Sequence, residues 1–136
     1  MALFGLDVKK GVGAEAALRC ALSMFERLDS LNQRLVGELE TPLEIGVGIH
    51  TGQAIVGRMG PPKTPIISAI GDSVNTAARL ERMTRELGVP LVVSAETLRA
   101  AGLDTSGGLT QVSLRGRIAT MPVSALDKAS LREILV

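Results

Sequence analysis

Between Leu43 and His50 the sequence reads LEIGVGIH, and apolar and non-apolar positions alternate without a break. A period of two commits a segment to extended backbone, because successive side chains of a strand leave opposite faces. Leu43, Ile45, Val47 and Ile49 then share one face. Glu44, Gly46, Gly48 and His50 share the other. Upstream the period changes. Leu18, Leu22, Phe25, Leu28, Leu31 and Leu35 recur at steps of three and four, which predicts a helix over 14–36 with one buried stripe. In that helix Glu15 and Arg19 are one turn apart in the favourable order. Strand and helix periods in one chain require a mixed architecture.

The rest follows from punctuation. Met1–Phe4 reads as the tail of a strand, and GLDVKKGVG as a Gly-rich loop. TGQ is a turn and AIVGRM a second strand, so a hairpin with LEIGVGIH is expected. The prolines of GPPKTP lack ladder donors, which makes that stretch a loop or arm. Ile66–Ile70 is extended. A helix from Ser73 to about Leu87 ends at Gly88 and Pro90. LVV is a buried strand, and SAETLRAAG a short helix capped by Ser94 and stopped by Gly102. LTQVSLRGRIATMPVSAL reads as two strands around an Arg115–Gly116–Arg117 turn. The order gives a single α+β domain over 1–136, an α/β sandwich with helices on one face of a largely antiparallel sheet.

Composition excludes several function classes. Fifteen basic and fourteen acidic residues leave a net charge of +1, so no electrostatic case exists for nucleic acid or an anionic membrane. Phe4 and Phe25 are the only aromatics, too few to stack single-stranded bases. Cys20 is alone. That rules out an internal disulfide framework and fits a cytoplasmic setting. No apolar run reaches the ~20 residues of a membrane helix. GRMG, Gly57–Gly60, fits the GxxG loop of an RNA-binding KH domain, but four residues carry little weight and the element order around them is wrong.

The chemistry concentrates in IGDSVNTAARLE, Ile70–Glu81. Asp72 is a candidate N-cap, with its carboxylate placed to accept from the Asn75 N–H. Asn75 and Arg79 lie one turn apart on the same side, and Arg82 and Glu86 extend the stripe. An open helix N-terminus, an amide and a guanidinium suit an anionic, oxygen-rich ligand. The competing reading pairs Arg79 with Glu81, Glu86 or a neighbouring strand. His50, a single histidine, is read as a structural hydrogen-bonding group rather than a metal ligand.

IGVGIHTGQAIVGRMG, AIGDSVNTAARLE and LVVSAET, in this order and spacing, resemble the class III nucleotide cyclase catalytic domain, over Met1 to about Leu126. The resemblance implies a ferredoxin-like α/β sandwich acting as a dimer, which converts a nucleoside triphosphate to a 3′,5′-cyclic monophosphate and pyrophosphate. By position, Asn75 would orient the ribose and Arg79 would stabilise charge on the α-phosphate. Ser68 falls where the family reads the base; its hydroxyl leans to ATP without excluding GTP. Arg115 resembles a basic contact to the triphosphate.

The family holds Mg²⁺ or Mn²⁺ through two aspartates, and it reads the base with a lysine as well. None of these three has a counterpart here, and Asp7 lies on the wrong side of the strand tail. The resemblance therefore implies a domain without its first strand and helix, with no metal bound and little activity alone. It also implies self-association and upstream sensor domains in a longer protein. The alternative is a non-catalytic cyclase-homology module for dimerisation or regulatory nucleotide binding.

Overall fold

The computed structural model describes residues 1–6, 11–105, 108–113 and 119–136. Ten elements follow one another: α1 (Val12–Arg34), β1 (Val47–Ile49), β2 (Ile55–Met59), β3 (Ile66–Ile70), α2 (Asp72–Leu87), β4 (Leu91–Ser94), α3 (Ala95–Ala100), β5 (Thr110–Ser113), β6 (Thr120–Leu126) and α4 (Lys128–Ile134). Four strands form a sheet in the order β1-β4-β6-β5, and β2 and β3 form a separate two-stranded ribbon. β4 pairs with β6 and β5 with β6 antiparallel; only β1 and β4 run parallel. The mixed, mostly antiparallel α+β architecture expected from the sequence is present.

β4 organises the sheet. All four of its residues are buried, so it needs cover on both faces and a strand on each edge. Leu91 and Val93 point into one apolar cluster with Leu18, Ala21 and Phe25 of α1, Leu98 of α3 and Leu131 of α4. Val92 points the other way, into a cluster with Leu80 of α2, Val112, Met121 and Val123. Helices therefore cover both faces of the sheet, not one. The alternation of apolar residues in a fully buried strand serves two cores at once, and the strand period alone does not show this.

The demand of β4 for two neighbours also removes the predicted hairpin. Val47, Gly48 and Ile49 pair with Leu91, Val92 and Val93 in parallel. α2 supplies the long crossover that parallel pairing requires. β2 pairs instead with β3, from Ile55↔Ile70 to Met59↔Ile66. The GPPKTP stretch caps that ribbon, with Thr64 N–H donating to the Pro61 carbonyl at 3.0 Å. GRMG is ladder-paired β-structure through Met59 and not a KH loop.

Within LEIGVGIH only Val47–Ile49 is strand and Leu43 is exposed, but the face assignment holds from Ile45 to Ile49. Ile45, Val47 and Ile49 pack on the α1 side, while Gly46 and Gly48 lie against Thr84, Glu81 and Ala77 of α2. Met1–Phe4 forms no strand; Phe4 and Gly5 lie instead with their backbone against Gly13 in the first turn of α1. α4 went unpredicted from sequence. Asp127 caps it, accepting from the Ser130 N–H at 2.8 Å, and Leu131 anchors it fully buried.

Candidate active site at the start of the second helix

α2 leaves β3 through Gly71. At φ 154° and ψ 171° this residue occupies a region open essentially to glycine. The Gly71 carbonyl takes the Val74 N–H at 3.2 Å and the Asn75 N–H at 3.4 Å. Gly71 is thus the N-cap, and no side chain caps the helix. This corrects the assignment of Asp72, which sits one residue further, inside the first turn. There its negative charge still complements the helix dipole. Ser73 Oγ donates to the Gln53 carbonyl, which ties the helix start to the loop after β1.

One side of α2 is buried through Thr76, Leu80 and Thr84. The helix period then places Asn75, Arg79, Arg82 and Glu86 toward solvent. Asn75, Arg82 and Glu86 are exposed, and Arg79 is half-buried. Arg79 forms no ion pair or hydrogen bond among the described residues. The nearest carboxylate by sequence, Glu81, pairs with Arg85 at 3.7 Å. Among the described residues the structural reading of Arg79 as an ion-pair partner therefore has no support, and none of them takes its five N–H donors.

Ser68 is half-buried on β3, directly opposite Gly57 of β2. Its hydroxyl also makes no hydrogen bond among the described residues. Ser68 and Asn75 are joined by the end of β3 and the Gly71 cap, so the two proposed contacts sit on consecutive elements. Arg115 and Asp7 lie outside the described residues. A cleft of about 660 Å³ lies at the other end of α2, between Phe25, Asn32, Thr84 and Lys128, and does not include Asn75 or Arg79.

His50 does form the structural contact expected of it. Its Nδ1 lies 2.9 Å from Ser94 Oγ. Ser94 in turn accepts from the Thr97 N–H as the cap of α3. Thr51 Oγ1 donates to Thr97 Oγ1 at 3.1 Å. These hydroxyls fasten the end of β1 to α3, and through Gln53 and Ser73 to α2. Sequence showed the Ser94 cap but not this network, because Thr51 and Thr97 carry no local signal for it.

Class III cyclases generally use Mg²⁺ or Mn²⁺. Among the described residues no three His, Cys, Asp or Glu side chains converge as metal ligands.

Comparison with known proteins gives the family. A model of the adenylate and guanylate cyclase catalytic domain matches residues 1–122, and the chain belongs to that family. It is 43% identical over 83 residues to adenylate cyclase 1 of Rhizobium meliloti (strain 1021), covering 60% of this chain and 12% of that protein. It is 30% identical over 89 residues to an adenylate cyclase of Anabaena cylindrica, covering 62% of this chain and 18% of that protein. The chain thus spans less than a fifth of either relative.

Among solved structures, the guanylyl cyclase Cya2 superposes with a TM-score of 0.75 at 30% identity, over 88% of this chain and 60% of that one. The adenylyl cyclase CyaB from P. aeruginosa gives 0.70 at 25% identity, over 88% and 62%. Among the described residues no helix is long and apolar enough to cross a membrane.

Proposed function

We propose that the chain is the transition-state half of an adenylate cyclase catalytic domain, acting on ATP to give 3′,5′-cyclic AMP and pyrophosphate. The observation that carries this is Arg79: half-buried, without an ion pair or hydrogen bond among the described residues, and one helical turn beyond Asn75 at an open helix start. In the reaction the ribose 3′-hydroxyl oxygen attacks the α-phosphorus and releases its proton to solvent, the bond to the bridging oxygen breaks, and pyrophosphate leaves with that electron pair. Negative charge shifts over the α-phosphoryl oxygens. The Arg79 guanidinium can meet it with two parallel N–H bonds. One preorganised donor of this kind contributes about 3–4 kcal/mol of transition-state stabilisation. The Asn75 amide orients the ribose, Ser68 meets the base edge, and Arg115 contacts the triphosphate.

ATP is favoured by the names of the curated relatives, and GTP is the competing substrate because a guanylyl cyclase shares the fold. The working unit is a homodimer in the cytoplasm, driven by sensor domains elsewhere in a longer protein. Alone, the chain turns over little substrate, because its described residues assemble no carboxylate set for a metal. That same observation favours the second reading, a non-catalytic module that binds nucleotide or dimerises.

The test is cyclic-nucleotide formation with Mn²⁺ and ATP or GTP, by this chain and by a version extended upstream in frame. Activity only in the longer protein, lost with Arg79→Ala, supports the cyclase reading and names the base. No activity in either selects the non-catalytic module. Turnover by the short chain itself would overturn its predicted inactivity.

A further inference from the structure

Gly46, just before β1, and Gly48 within it face α2, where a side chain would strike that helix. Gly57 is different. It lies mid-strand in β2, it has no positive φ, and a β-carbon built on it meets nothing within 4 Å. Neither backbone conformation nor packing among the described residues calls for glycine. A glycine inside a strand weakens it, and otherwise marks a place where a ligand or another backbone comes close.

The surroundings of Gly57 define what comes close. Its cross-strand partner is Ser68, whose hydroxyl is unpaired among the described residues. On the same face the neighbouring pairs are Ile55 with Ile70 and Met59 with Ile66. Ile55, Ile66 and Ile70 are 75%, 63% and 59% exposed. These apolar rows stand about 7 Å to either side along the strands, which leaves room for one flat ring over Gly57. A bare backbone floor, apolar walls and one hydroxyl at the edge match the usual lining of a small-molecule site. No acidic residue occurs between Thr51 and Gly71, so nothing in the ribbon repels a nucleotide.

We propose that Gly57 is the floor of the base subsite: the purine of the nucleotide lies flat on it, with its edge at the Ser68 hydroxyl. This rests on the reading of Ser68 as the base contact. It adds a residue that fixes affinity by having no side chain.

Equilibrium dialysis of this chain with ATP, and separately with inorganic tripolyphosphate, tests the proposal. The variants are Gly57→Val, Gly57→Ala and Arg79→Ala. Valine favours a strand and its side chain enters open space, so Gly57→Val should melt no lower than the parent. It should weaken ATP binding at least tenfold and leave tripolyphosphate binding unchanged, with Gly57→Ala in between. Arg79→Ala should weaken both. ATP affinity unchanged in Gly57→Val but reduced in Arg79→Ala overturns the floor and leaves the proposed function standing. Equal loss of ATP and tripolyphosphate in Gly57→Val also overturns it. A change in mass by light scattering, with ATP binding intact, would show that a second copy fills the notch instead. No ATP binding by the parent chain overturns both this inference and the nucleotide reading beneath it.

Discussion

Gly48 of β1 lies backbone to backbone against Ala77 of α2. A β-carbon at position 48 would overlap the Ala77 carbonyl oxygen and the Glu81 amide nitrogen. The contact fixes the height of α2 over the sheet, and with it the placing of Asn75 and Arg79. The obstructing atoms are backbone in a packed helix and cannot swing aside.

Gly48→Ala should therefore destabilise the chain by about 1–3 kcal/mol, as overpacking of a close interface does. Thermal unfolding followed by circular dichroism reads this directly. Gly57→Ala is the control, because its β-carbon enters open space. Equal losses at the two positions would show that the contact with α2 does not decide the effect.

Arg79→Ala should do the reverse, leaving stability within about 0.5 kcal/mol because no partner among the described residues is lost. In a complete, active domain it should lower kcat by about 10²–10³-fold, the usual effect of removing one preorganised donor. Unchanged kcat would remove Arg79 from the transition state. A large fall in melting temperature would show that it supports the fold.

These two residues also show where sequence was sufficient. The alternation in LEIGVGIH placed Gly48 on the face away from the first core, and the helix period placed Arg79 beside Asn75. Both are local periodicities that need no tertiary information. Pairing partners were another matter. β1 joins β4, forty-odd residues away, rather than β2, because Val92 and Val93 need cover on opposite faces. The cap at Gly71 was missed for a similar reason. Asp72 has the better capping side chain, but the turn out of β3 requires the backbone that glycine adopts. Gly57 was visible as a glycine in a strand, yet its meaning needed the register with Ser68 and the empty space above it.

Thr76 is fully buried next to Asn75 on α2, and its hydroxyl has no hydrogen-bond partner among the described residues. A buried, unsatisfied hydroxyl carries a desolvation penalty of about 1–3 kcal/mol. Thr76→Val keeps the shape and the β-branch while removing that group. The substitution should raise stability by about 1 kcal/mol in chemical denaturation. A loss of similar size would mean that the hydroxyl is paired in solution.

Asp127 holds the start of α4. Hydrogen bonding from the Ser130 N–H, reinforced by the Ser130 hydroxyl and the Ala129 N–H, holds its carboxyl below the ordinary value of 3.8. A carboxyl with a lower pKa in the folded state stabilises the fold above its unfolded pKa. That contribution begins to fade near pH 4 and is lost as the pH falls through the folded pKa. Melting temperatures of the parent and Asp127→Ala should differ at pH 6 and converge as the pH falls through the folded pKa, which lies below 3.8. A gap independent of pH would show that the carboxylate charge is not what caps the helix.

α4 touches α1 through both ions and hydrocarbon, and the two are separable. Lys128 pairs with Asp29, and Arg132 Nη2 lies 2.6 Å from Glu26 Oε1. All four side chains are at least 37% exposed. Surface pairs of this kind contribute about 0–1 kcal/mol and weaken with salt. Leu131 is fully buried in the cluster with Leu18, Phe25 and Leu91, and truncating such a leucine costs about 2–5 kcal/mol. Leu131→Ala should therefore destabilise the chain several times more than Arg132→Ala, and about 0.5 M salt should change the parent little. Proteolysis near residue 127 distinguishes the two routes. Cleavage there should accelerate in Leu131→Ala and stay near the parent rate in Arg132→Ala. The opposite order would make the ion pairs, rather than the buried leucine, the attachment of α4 to α1.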